Sequence, residues 1–261
     1  MKIENCKGGS LPLASARVAV LRYPLYGGPP RNAPVFNFPF SIFNFFGAFE
    51  MTKIILPMLG ASVVSIEVFF LTLLFSVPLG FPLAAGRMSH FKPLSYIVNA
   101  FLLIIRGTPL ILQLIAVYFF PAYLFKLSYD RFVAAIIALS VNYACYFAEI
   151  YRGGIQSIPR GQYEAAKVLG YTKMQTFFRI VLPQVVKRIV PAMGNEVITL
   201  VKDTALVSVL GIAELFRTAQ TTSSRLFSTT PILIAGVFYF IMNWLVAAGF
   251  IVIEKKLDYY K

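Results

Sequence analysis

Charged and amide side chains set inside apolar runs mark where chemistry is to be sought, because each costs roughly several kcal/mol at membrane depth unless it is paired or meets water. Arg106, Asn195, Glu196, Lys202, Asp203 and Thr204 are such residues. Together they supply cationic and amide donors for a carboxylate, and carboxylate and hydroxyl acceptors for an ammonium. A zwitterion needs both kinds. Arg106-Gly107-Thr108-Pro109, with Gln113 beyond it, also breaks its helix, and broken helices at mid-depth often form transport sites. Arg106 falls about 12 residues past Leu94, hence roughly 18 Å along a helix and close to mid-depth. Plainer readings stand beside these. Arg106 can pair with Glu149 or Glu196 to hold spans together, Lys202 and Asp203 can be an interfacial anchor, and Glu67 can face either a pore or a partner subunit.

Other chemistries are excluded by what the sequence lacks. No G-x-x-x-x-G-K-[ST] loop occurs, so nothing here cradles nucleotide phosphates. No nucleophile–base pair is evident. His90 is the only histidine, and Cys6 and Cys145 are far apart, which argues against a metal site and a structural disulfide. Cys6 follows no apolar signal region, so a lipid anchor there is not expected. The chain is expected to have no catalytic residue, no metal and no cofactor of its own.

The longest polar and basic interval between two apolar segments runs from Gly153 to Pro191. Ser157 and Pro159 read as a helix start, Gln162 to Leu169 as helix, and Gly170 as its stop. Thr172 with Gln175 reads as a capping box opening a second helix, which Pro183 ends or kinks. Tyr163, Ala166 and Gly170 share a face of one ring and two small residues, which lets another surface come close. An amphipathic stretch lying on the bilayer surface is the alternative.

Glu164-Ala165-Ala166, then Gly170, then Ile180, Leu182 and Pro183 resemble the EAA signature of ABC-importer permeases. The resemblance covers roughly Met51 to the C-terminus. It implies that this segment is a coupling helix docking into an ATP-hydrolysing subunit. Arg152-Gly153-Gly154-Ile155, Ile158-Pro159, Gly161-Gln162 and Pro183-Gln184 resemble the polar amino-acid branch, the histidine, glutamine and arginine permeases. So do Arg106 to Leu110 with Gln113, Asn195 with Ile198, and Lys202-Asp203-Thr204, although Ala205 replaces the Ser usual in that branch. The resemblance implies two ATP-binding subunits carrying ATP and Mg, an extracytoplasmic amino-acid-binding protein, and a second permease copy or a sister permease. A self-sufficient secondary transporter would need inverted repeats, and no internal duplication is evident. A membrane assembly protein without a pore is the other rival.

The elements that must position these residues follow from composition. Of 261 residues 58% are hydrophobic and only 13% charged, at a mean hydropathy of +0.72. That places the chain in a bilayer as an all-α membrane protein, since soluble domains carry about 25% charged residues. The net charge of +13 falls mostly in loops, so it speaks for orientation and not for nucleic acid. Judged against the ~20 residues that cross hydrocarbon, about five spans are expected, at 59–79, 96–120, 132–151, 186–201 and 232–253. Pro78, Gly80 and Pro82 should loosen the first, and 205–216 should be re-entrant or lie on the surface. The Lys/Arg bias puts the N-terminus outside and the C-terminus in the cytoplasm of a multi-pass protein of the cytoplasmic membrane. The type I ABC-importer permease fold is expected over 51–261. Residues 1–50, broken by prolines from Pro24 to Pro39, are either an extra membrane-surface segment or untranslated, with Met51 the start; the second is expected.

Overall fold

The computed structural model describes residues 48–257, with side chains for 52–257. The expectations for residues 1–47 lie outside the described residues. Helix α1 is Ala48–Arg87, α2 Lys92–Gly107, α3 Leu110–Phe125 and α4 Arg131–Gln156. After a short link come α5 (Arg160–Val168), α6 (Lys173–Thr176) and a π-turn, Phe177–Val181, leading into α7 (Leu182–Asp203). A 3₁₀ segment, Thr204–Leu210, then precedes α8 (Leu215–Leu226) and α9 (Thr230–Leu257). No strand occurs among the described residues.

Three helices are long and apolar enough to cross a membrane: α1 from Thr52, α4 and α9. The α2–α3 pair makes a fourth if counted as one, although it turns through 110° between Gly107 and Leu110. The break therefore falls where the sequence places it but is a sharp elbow. The remaining expected span is α7, a helix of 22 residues carrying Lys187, Arg188, Glu196, Lys202 and Asp203.

α4 is the central element. It packs most extensively on α1 and also touches α2, α3 and α7. Leu139, Tyr143, Phe147 and Cys145 of α4 are buried against Val68 of α1 and Leu200 of α7 in one core. Close approach needs small residues: an added Cβ at Gly80 would come within 2.8 Å of Tyr151, and one at Gly154 would collide with Ile189.

Proline does less here than the sequence suggests. α1 is continuous through Pro57, Pro78 and Pro82, contrary to the expected loosening. Tyr151 stacks on Phe81 at 4.4 Å and its hydroxyl donates to the Val77 carbonyl at 3.2 Å, propping the proline-bearing stretch. Pro183 does not end the helical run: a π-turn, Phe177–Val181, leads directly into α7, which continues past the proline to Asp203. Pro191 lies within an unbroken α7. The polar residues from Thr218 to Arg225 lie in helix α8.

Glu214 makes α8 possible. It is fully buried, and its carboxylate accepts the backbone N–H groups of Phe216 and Arg217, each at 2.7 Å, capping the helix. The Tyr239 hydroxyl of α9 donates to it at 2.9 Å and Ser65 of α1 at 3.5 Å. Burial pushes the carboxyl above its ordinary pKa, while those N–H and O–H donors pull it back. One acid thus ties three helices together. Glu214→Ala should lower the unfolding temperature of the solubilised protein sharply, since a buried donor left unpaired costs about 1–3 kcal/mol. Glu214→Gln, which keeps an acceptor, should cost less in the same thermal scan.

Candidate functional site

The elbow after α2 is held by one amide. Pro109 has no N–H, so carbonyls near the break lose their helical donors. Gln113 Nε2 replaces them, donating to the carbonyls of Ile105 at 2.6 Å and Thr108 at 3.1 Å and to Thr108 Oγ1 at 2.8 Å. Its Oε1 accepts from Asn142 Nδ2 of α4 at 2.9 Å. The amide is thereby engaged at both ends, and the elbow is stapled to α4 by a residue 29 positions away.

The elbow aims Arg106 back at α4. Its guanidinium lies over the Tyr146 ring at 5.1 Å and 3.8 Å from Glu149. Glu149 is the hub of a larger group: Arg87 Nε at the end of α1 stands 2.6 Å away, and Arg152 one turn on lies at 2.9 Å. Arg87 also donates to the Asn99 side chain of α2. The Arg106–Glu149 pairing considered from sequence is present as a long contact. Arg87 and Asn99 had no local signal, Arg87 standing 62 residues before its carboxylate.

On the facing helix, Tyr143 of α4 donates to Asp203 Oδ2 at 2.7 Å. Glu196 lies within electrostatic reach of both Arg106 and Asp203. The structure thus brings Arg106, Glu196 and Asp203 into one neighbourhood with Tyr143 and Tyr146. Asn195 and Lys202 are exposed on α7. Thr204 is buried and donates to the Val201 carbonyl at 2.7 Å. Thr108 and Gln113 belong to the elbow.

The Gly153–Pro191 stretch forms a cluster of its own. Ser157 does not cap α5; its hydroxyl donates to the Gly154 carbonyl at 2.7 Å and closes α4, the nearer helix end. α5 stops at Gly170, whose φ of +77° suits glycine. Tyr171 N bonds the Ala166 carbonyl at 3.0 Å and Gly170 N that of Lys167 at 3.1 Å, closing the helix end. The capping box forms as expected, with Gln175 N donating to Thr172 Oγ1 at 3.3 Å and Thr172 N to Gln175 Oε1 at 2.9 Å. Ala166 is buried, Glu164 and Ala165 are exposed, and Ile180, Leu182 and Pro183 are half-buried. Val168 and Leu169 are 87% and 73% exposed, and Met174 and Phe178 are also bare. Such apolar exposure beside charged residues marks a contact surface.

Comparison with known proteins fits this layout. Residues 76–259 match the family described as binding-protein-dependent transport system inner membrane component. An L-cystine transport system permease protein of Bacillus subtilis is 38% identical over 77% of this chain and 86% of its own length. An arginine transport system permease protein of the same species is 35% identical over 74% and 89%. A chain of a solved amino acid ABC transporter with histidines superposes with a TM-score of 0.74 at 33% identity, covering 80% of this chain and 97% of that one. A methionine ABC transporter in an inward-facing conformation shares the fold at 22% identity and a TM-score of 0.62. The chain belongs to the binding-protein-dependent transport system inner membrane component family. It is an all-α permease component of an ABC importer, and ATP hydrolysis falls to a separate ATP-binding subunit.

Gln113→Leu keeps the volume but leaves the Ile105 and Thr108 carbonyls without their side-chain donor and Asn142 without its acceptor. The unfolding temperature in detergent should fall, by an amount corresponding to about 1–3 kcal/mol. Transport by whatever protein inserts should fall with it, because the elbow sets where Arg106 points.

Proposed function

We propose that the cargo is a polar amino acid, carried along a path lined by Arg106, Gly107, Asn195, Glu196, Lys202 and Asp203, with Thr108, Pro109 and Gln113 shaping the elbow and Thr204 the end of α7. The observation that carries this reading is that Arg106 of α2 lies within electrostatic reach of Glu196 of α7, and Glu196 within reach of Asp203, beside Tyr146 and Tyr143 of α4. A mixed-charge seam at membrane depth suits a zwitterion and suits few other solutes. The relatives named for L-cystine and arginine support the same cargo class.

The chain works with two ATP-binding subunits that hold ATP and Mg, an extracytoplasmic amino-acid-binding protein, and a second copy or a sister permease. Glu164, Ala165, Ala166 and Gly170, with Ile180, Leu182 and Pro183 behind them, form the coupling element. The exposed apolar residues around them give the ATP-binding subunit something to grip. The N-terminus lies outside and the C-terminus in the cytoplasm, which puts this element on the ATP side, in keeping with the Lys/Arg bias. Closure of the ATP-binding subunits moves the element and switches the path from inward- to outward-facing.

Proteoliposomes with the binding protein, with and without the ATP-binding subunits, test this directly. Asp203→Asn and Asn195→Ala should reduce uptake roughly 10- to 150-fold, the worth of a charge-assisted hydrogen bond, with ATPase assembly retained. Selective loss of arginine uptake in Glu196→Gln, with glutamine uptake spared, would mark a cationic cargo. Unchanged uptake in all three variants would overturn the path. Gly170→Val, which strains a left-handed backbone, and Glu164→Lys should insert normally yet lose ATPase association or uncouple hydrolysis from uptake. Wild-type uptake in either would remove the coupling role.

A further inference from the structure

The Glu149 hub carries more positive charge than it can balance. Three guanidiniums, from Arg87, Arg106 and Arg152, surround the Glu149 carboxylate, and Glu196 lies within electrostatic reach of Arg106, which leaves one positive charge over. The three are not equally satisfied. Arg152 grips Glu149 through both Nε and Nη2 and also donates to Gln156 at 2.6 Å. Arg87 holds Glu149 and Asn99. Arg106 makes no hydrogen bond among the described residues; it has the 3.8 Å approach to Glu149, the ring contact and the electrostatic reach of Glu196. Its side chain is 41% exposed.

Arg106 opens onto a cavity of about 300 Å³ lined by Arg87, Asn99, Arg106, Gly107 and Glu149, with Leu102 and Leu103 as its apolar wall. The donors in it are two guanidiniums and the Asn99 amide. A side chain at Gly107 would meet nothing within 4 Å, so the backbone there leaves the space clear. A planar guanidinium with free donors, on a polar cavity with surplus positive charge, matches an oxyanion.

We propose that this cavity is a carboxylate site, which takes the α-carboxylate of the transported amino acid between Arg106 and Arg87. It rests on the amino-acid reading above and separates the two ends of the cargo: the carboxylate goes to the α1–α2–α4 side, and the ammonium and side chain face Glu196 and Asp203 on α7. Glu149 keeps the empty site organised through Arg87 and Arg152, while its weak hold on Arg106 leaves that guanidinium available.

The test uses the whole complex with its ATP-binding subunits, in nanodiscs of phosphatidylcholine alone, without nucleotide. Binding of L-arginine and of agmatine, which lacks only the carboxylate, is measured by scintillation proximity, with L-glutamine and glutaminamide as a second pair. Each amino acid should bind roughly 10- to 150-fold more tightly than its carboxylate-free partner. Arg106→Gln should abolish that preference, Arg106→Lys should keep part of it, and Gly107→Val should weaken both amino acids by filling the cavity with every ion pair intact. Equal binding of acid and analogue by the wild-type complex would overturn the proposal. So would a loss of amino-acid binding when phosphatidylglycerol is added, because the occupant would then be a lipid phosphate. ATP-driven uptake in matched proteoliposomes separates the two readings. Uptake without a carboxylate preference would remove this site and leave the cargo class standing, whereas no uptake of any amino acid would remove the cargo class itself.

Discussion

In hydrocarbon no water relieves an unpaired polar group, so each must find its partner within the protein. That constraint explains why so few residues hold so much of this permease together. A helix that turns through 110° frees backbone carbonyls, and Gln113 answers them with one amide anchored to Asn142. A helix start buried between α1 and α9 needs acceptors, and Glu214 supplies both oxygens. A carboxylate on α4 needs cations, and three arginines converge on it. Each solution joins elements distant in sequence, so the polar contacts fix the arrangement that apolar packing makes compact.

What the sequence made legible was local. The Thr172–Gln175 box and the stop at Gly170 depend on a few successive residues, and both formed as read. The Arg106–Pro109 break was legible for the same reason, since Gly and Pro act on their own backbone. The misreadings arose where two local answers competed. Ser157 suited the start of α5, but the end of α4 lies closer and claims its hydroxyl. Pro183 signalled an end or a kink, yet a π-turn carries the helical run into α7, which continues past it. Long-range partners carried no signal at all. Gln113 looks like a pathway residue until Asn142 is seen beside it, and nothing around Arg87 points to Glu149.

Function was legible unevenly for the same physical reason. A docking segment must present its residues together on one surface, so its motif stays contiguous and readable. The proposed transport site draws on three helices, so the sequence shows it only through the unusual placement of charge. Glu214 escaped notice because 205–216 was read as a re-entrant or surface stretch, where a single acid looks solvated, whereas it is buried.

α4 gathers four polar links on one side of a single rod. Asn142, Tyr143, Tyr146 and Glu149 follow one another at spacings of one, three and three residues, and between them they touch the elbow, α7, Arg106 and the arginine hub. Ser157 and two further residues then lead straight into α5. A stiff rod gripped at four points along one stripe cannot slide or roll past one neighbour alone; it behaves as a camshaft, on which every follower shifts in the same stroke. A movement of any one neighbour is therefore passed to the other three, and none of them can shift alone.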